Sequence, residues 1–152
     1  AGDLRFIAAS FKIITDLERV ADLATNLGEY TLNADRDMFP EVDIQGIADL
    51  TLEMIEDAMD AYAEERTETC YEIAERDDEI DELCAAASEA VVRDLIEREV
   101  GEAADEDEIE QLMNDVSRLL LTIRDLERVG DHAVNISART LYMVENDADL
   151  IY

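Results

Sequence analysis

Arg124-Asp125-Leu126-Glu127-Arg128-Val129-Gly130-Asp131-His132-Ala133-Val134-Asn135-Ile136 decides the fold, because most of it occurs twice. Near the start the chain reads Thr15-Asp16-Leu17-Glu18-Arg19-Val20-Ala21-Asp22-Leu23-Ala24-Thr25-Asn26-Leu27. A constant offset of 109 aligns Asp16 with Asp125, Leu17 with Leu126, Glu18 with Glu127, Arg19 with Arg128, Val20 with Val129 and Asp22 with Asp131. Ala24 and Ala133, then Asn26 and Asn135, continue in the same register. A gap-free duplicated run indicates an internal structural repeat. On a helix, Glu127, Asp131 and Asn135 fall at i, i+4 and i+8 and form one stripe, as do Glu18, Asp22 and Asn26. Two carboxylates one turn apart repel by roughly 0.2–0.5 kcal/mol on an exposed helix. Something cationic should therefore face each stripe, either an arginine or a hard metal ion that takes oxygen ligands.

The signature Asp125-Leu126-Glu127-Arg128-Val129-Gly130-Asp131-His132-Ala133-Val134-Asn135-Ile136 resembles the PhoU family of phosphate-uptake regulators. The resemblance implies two repeats of three helices, each carrying E(D)xxxD motifs that bind metal clusters. Asp3 to Leu32 looks like the third helix of the first repeat, and Val42 to Val144 like all three helices of the second. The expected division is therefore 1–40, a last helix of the first repeat with its linker, and 41–152, a complete second repeat. Helices one and two of the first repeat are missing, and Ala21 stands where the second copy has Gly130. The chain starts at Ala1, which reads as the interior of a longer protein.

Composition agrees with a helical reading. At 152 residues and 48% hydrophobic content the chain can bury a core, and 5% aromatics make that core aliphatic. One proline and five glycines leave few helix breaks. The net charge of −29, from 41 acidic and 12 basic residues, makes nucleic acids and anionic membrane surfaces improbable partners. Lys12 is the only lysine. An acidic, lysine-poor chain with its charge spread through periodic apolar sequence reads as halophilic rather than disordered. Cys70 and Cys84, about 21 Å apart on one helix, cannot pair and read as core residues of a reducing cytoplasm. No leader, lipidation motif or long apolar run suggests membrane insertion.

Four long helices are expected in an all-α, elongated antiparallel bundle. The first is capped by Asp3 and runs to about Leu32 on the apolar stripe Phe6, Ile7, Phe11, Ile14, Leu17, Val20, Leu23 and Leu27. Asn33 to Pro40 is the join. The second runs from Val42 or Asp43 to Glu65. Thr67 or Thr69 caps the third, with Thr69 and Glu72 as a capping box and Gly101 as its stop. Asp105 opens the last, which ends near Val144. With two helices missing, the Phe6 to Leu27 stripe is only partly covered, so the chain is expected to form a homo-oligomer that sedimentation would detect.

The ExxxD spacing is weak evidence by itself, since acidic residues at this density give about eleven such pairs by chance, mostly on solvated faces. Repetition inside a longer identical frame strengthens it. So does a third pair, Asp77 and Asp81, where by resemblance the family's second helix carries its motif. Positions 77/81 and 127/131 are centred on 79 and 129, whose mean, 104, falls in the turn between the third and fourth helices. The two pairs should lie side by side. The expected ligands are Asp77, Asp81, Glu127 and Asp131, with Glu18 and Asp22 as a half-site. Iron, manganese, magnesium and calcium suit such oxygen donors. Arg19 and Arg128 are expected to pair with acidic neighbours. Asn26 and Asn135 either ligate through their carbonyl oxygens, stand behind the ligands or bond across helices, and His132 packs or supports. No catalytic set is visible.

Three function classes follow. The resemblance implies a non-enzymatic, cytoplasmic regulator that couples phosphate availability to a phosphate ABC transporter and a sensor kinase. The alternatives are a di-metal carboxylate enzyme and a purely structural acidic bundle. The halophilic reading has a direct consequence, because self-repulsion weakens as the screening length falls from about 10 Å at 0.1 M salt to about 3 Å at 1 M. Unfolding midpoints should rise steeply with potassium chloride; a midpoint unchanged across that range contradicts it.

Overall fold

The computed structural model describes residues 2–32, 39, 41–98 and 105–151. These form four helices, α1 (Gly2–Leu32), α2 (Ile44–Glu64), α3 (Thr67–Glu97) and α4 (Glu106–Glu145). None of them is long and apolar enough to cross a membrane. The join at 33–38 and the stop at Gly101 lie outside the described residues.

Local chemistry sets the ends. Asp43 caps α2 by accepting from the Gly46 amide at 2.9 Å, and a Cβ at Gly46 would collide with that carboxylate. Asp105 does the same for α4, accepting from Glu108 N at 2.8 Å. Asp3 lies within the first turn of α1 rather than at its cap, where its charge still favours the helix dipole. The capping box at Thr69 is absent. Helix α3 begins at Thr67 behind Arg66, which makes no side-chain cap. The Thr67 hydroxyl instead donates to Glu145 at 2.7 Å, and Tyr71 donates to Asp147 at 2.9 Å. The start of α3 is thus clasped to the end of α4, and that cross-helix pairing takes the hydroxyl that would have capped.

Helix α4, about 60 Å long at helical rise, is the spine: α1, α2 and α3 all pack on it, and α2 also packs on α3. The main core is aliphatic, with Met54, Ile73, Ile80, Val91, Ile123 and Ile136 all but fully buried. Cys70 and Cys84 are free and buried, and burial pushes their thiols up to about 11 and about 12. Helix α1 lies antiparallel along α4, burying Ala9, Ile13, Asp16 and Leu23. It reaches α2 through Tyr62, which stacks on Phe6 and bonds Ser10 at 2.7 Å. The outer side of α1 stays bare, with Leu4, Ile7, Phe11 and Ile14 at 71, 49, 67 and 50% exposure.

Helix α2 ends on Glu65 in the left-handed region, at φ 55°, with the Arg66 amide closing on the Ala61 carbonyl at 3.0 Å. A side chain pays a steric penalty there that glycine avoids. Glu65→Gly should stabilise the fold by about 1 kcal/mol, or roughly 2–4 °C at this chain length. A fall in the melting temperature at high salt would contradict this assignment.

Candidate metal centre

Helices α3 and α4 run antiparallel, and their register brings the two acidic pairs to one level. Asp77, Asp81 and Asp131 each place a carboxylate oxygen within 4.8 Å of the others. Glu127 joins them through a hydrogen bond with Asp81. The Asp77 and Asp81 side chains each bury an Oδ1 that has no hydrogen-bond partner. Such orphaned acceptors are costly unless a donor or cation meets them. Asp77 also lines a shallow cleft with Tyr71, Asp78, Val134 and Leu150, which gives the cluster a path to solvent.

The electrostatics follow from this crowding. Burial, then the charges of Asp131 and Asp81, push the Asp77 carboxyl up to about 7. Burial and Asp131 raise Asp81, while its hydrogen bond with Glu127 acts the other way. Burial and the Asp81 and Asp131 charges raise Glu127. Cys84 lies near enough that, after burial, these same carboxylates help keep its thiol protonated.

Gly130 is what allows the close approach. A Cβ there would sit 2.9 Å from Asp77 Oδ1, 3.6 Å from Ile80 Cγ2 and 3.9 Å from Met54 Cε. The Asp77 carboxylate therefore rests against the α4 backbone. Ala21, the repeat counterpart of Gly130, is exposed.

The first-copy residues are placed differently. Glu18 and Asp22 are exposed, and among the described residues no metal-sized group includes them. Asn135 donates across the α1/α4 seam to Asp16 at 3.3 Å, and Asn26 is half-buried. Arg19 and Arg128 are exposed, and neither forms an ion pair among the described residues, unlike the expected pairing. Of the acidic residues one turn away, Asp16 points into the seam and Asp131 into the cluster, while Asp22 is exposed.

Sequence reasoning missed the role of the frame's first aspartates. Asp16 is buried at 6% exposure and meets His132 Nδ1 at 2.8 Å. Its repeat counterpart Asp125 is fully buried, with a 3.4 Å contact to Arg124 and an unpartnered Oδ2. The Tyr30 hydroxyl is raised first by burial and then by the Asp125 charge. The two copies thus set a carboxylate each into one antiparallel seam. The signal was their identity in the duplicated frame.

The PhoU domain family model matches residues 1–31 and 44–140. A protein of Methanothermobacter thermautotrophicus described as phosphate-specific transport system accessory protein PhoU homolog 1 is 33% identical over 147 residues, covering 95% of this chain and 62% of its own length. The corresponding PhoU homolog of Clostridium acetobutylicum is 30% identical over 146 residues, with the same coverage. The crystal structure of PhoU from Pseudomonas aeruginosa superposes with a TM-score of 0.85 at 25% identity, over 97% of this chain and 66% of that one. That of the phosphate transport system regulatory protein PhoU from Streptococcus pneumoniae gives 0.83 at 23% identity, which speaks to the fold. The chain spans about three fifths of the length of these curated relatives.

Raised carboxyls have a linked effect on stability. A group whose folded pKa exceeds its unfolded value contributes stability that is present below the unfolded value and lost as pH rises through the folded one. For Asp77 that window runs from 3.8 to about 7, and Asp81 and Glu127 act in the same direction. In chelator and high salt, the melting temperature should therefore fall across this range, and Asp77→Asn should flatten the fall. A wild-type midpoint that rises across the window would contradict the assignment.

Proposed function

Because the chain belongs to the PhoU family, we propose that it is a metal-carrying accessory regulator of phosphate transport and phosphate signalling that acts by protein contact rather than catalysis. The relatives' printed names, which call them accessory proteins of the phosphate-specific transport system, support this reading. A phosphate ABC transporter and a sensor kinase are its proposed partners.

One observation carries the metal part: three carboxylate oxygens within 4.8 Å of one another, backed by two buried oxygens that lack any donor. Asp77, Asp81 and Asp131 would hold the ion, with Glu127 beside them. The donor set is all oxygen, which suits magnesium, manganese, calcium or iron. A bound divalent ion would supply the positive charge that four crowded carboxyls require. Glu18 and Asp22 form a half-site in the same reading, with no second helix to complete them.

Two variants test the site. Glu127→Gln with Asp131→Asn should abolish specific manganese binding in calorimetry at high salt while leaving the helical signal intact. Gly130→Ala is the sharper probe. Alanine is the better helix former by about 1 kcal/mol, and its methyl displaces the flexible end of Asp77 rather than the backbone. The variant should stay folded and lose tenfold or more in manganese affinity. Full stoichiometry and affinity in both variants would mean that the cluster holds no ion.

A further inference from the structure

The cations of this acidic chain are unevenly distributed. Among the described residues of α2 and α3, and at the ends of those helices, Arg66, Arg76, Arg93 and Arg98 each pair with a carboxylate. Among the described residues Arg5, Lys12, Arg19, Arg128 and Arg139 form no ion pair, and all five lie on α1 and α4, where Arg118 and Arg124 do pair. Arg5 even buries its Nε without a partner. In a protein with 41 acidic residues, the unpaired cations among the described residues all lie on two adjacent helices.

Register gathers them further. Arg5, Lys12 and Arg19 recur every seven residues and share one flank of α1. Arg128, His132, Asn135 and Arg139 recur at i, i+4, i+7 and i+11 and share one stripe of α4. The contacts of Asp16 with His132 and Asn135 fix the alignment of the two helices. By that alignment Arg19 lies across the seam from positions 129 to 132, within a turn of Arg128, and Lys12 lies across from 136 to 139, which includes Arg139. Arg19 and Arg128 are also repeat counterparts, so the duplicated frame places like charges opposite each other on one side of the seam. An anionic partner would relieve their mutual repulsion.

We propose that this side of the α1/α4 pair is a docking surface for an acidic α-helical segment of a partner protein. The surface deepens the reading of the protein as a contact-acting regulator and rests on it. Charge complementarity selects the partner. Cations about 10.5 Å apart along α1 match carboxylates presented every second turn of another helix. Guanidinium groups bind carboxylates in a bidentate fork, and the neighbouring Asn135 amide and Tyr30 hydroxyl add the polar contacts typical of protein interfaces. A nucleic acid brings one charge per about 1.7 Å of duplex, which the surrounding carboxylates oppose.

The test uses a labelled synthetic amphipathic helix of about three heptads with glutamates along one side, and its glutamine counterpart. Binding is followed by anisotropy against the whole chain, with and without manganese. The glutamate helix should bind at about 0.1 M salt and be released near 1 M, where screening is within about 3 Å. Arg19→Ser with Arg128→Ser should weaken it tenfold or more, while Arg66→Ser with Arg93→Ser, an equal change of charge, should leave it unaltered. Circular dichroism checks that both double variants fold. No binding, equal binding of the glutamine helix, or equal affinity in the two double variants would overturn the surface. Capture of duplex DNA or anionic vesicles through Arg19 and Arg128 in place of the helix would overturn the choice of partner. Helix binding retained by Asp77→Asn with Asp131→Asn supports the surface independently of the metal, and absence of helix binding by the unmodified chain while it takes up manganese overturns the surface alone.

Discussion

Four carboxyl groups meeting between two packed helices are the constraint on which the rest of this molecule depends. Asp77, Asp81, Glu127 and Asp131 sit at one level of the α3/α4 interface, and burial together with their mutual charge raises three of the four from their ordinary values. Helices can be held together over such a repulsive level only if the packing on either side is strong. Ile73, Ile80 and Cys84 on α3, with Ile123, Leu126 and Ala133 on α4, supply that packing around the cluster. Gly130 removes the one side chain that would have kept Asp77 off the α4 backbone. The arrangement has the properties of a site: poor as a piece of core, well formed as a cage of oxygens.

The same duplicated frame does two different jobs because its copies have different neighbours. In α4 the Glu-Asp stripe faces α3 and becomes part of the cluster. In α1 the equivalent Glu18 and Asp22 are exposed, alongside the bare side chains of Leu4, Ile7, Phe11 and Ile14. The two copies behave alike only in the seam between them. There Asp16 and Asp125 are each buried, one satisfied by His132 and Asn135, the other with an oxygen left over. The seam fixes the register of α1 on α4, and that register sets Arg19 near Arg128 on one outer face. A partly buried acidic cluster and a basic outer face are thus two consequences of one repeat.

Much of this was legible in the residues themselves. Apolar spacing located all four helices to within a few residues, and the positions of Asp43 and Asp105 marked two helix starts because both aspartates cap. The level meeting of 77/81 with 127/131 followed from simple counting about the turn. What the sequence concealed has physical causes. Thr67 and Tyr71 look like local capping and core residues, but their hydroxyls are claimed by Glu145 and Asp147, more than seventy residues away. Asp16 reads as one more acidic residue in a chain full of them, and only tertiary packing buries it against His132. Arg19 and Arg128 were expected to pair locally, and neither does so among the described residues: Asp16 and Asp131, one turn away, are taken up by the seam and the cluster. Local rules fail here where a distant helix competes for the same polar group.

The central claim is that the α3/α4 carboxylates hold a cation and that the α1 pair does not hold one alone. Anomalous diffraction at the manganese edge, from crystals grown at high salt with the metal present, measures this directly. The account predicts a peak between Asp77, Asp81 and Asp131 and none at Glu18 and Asp22. A density map with no anomalous peak at the α3/α4 cluster, or with one only on α1, would contradict it.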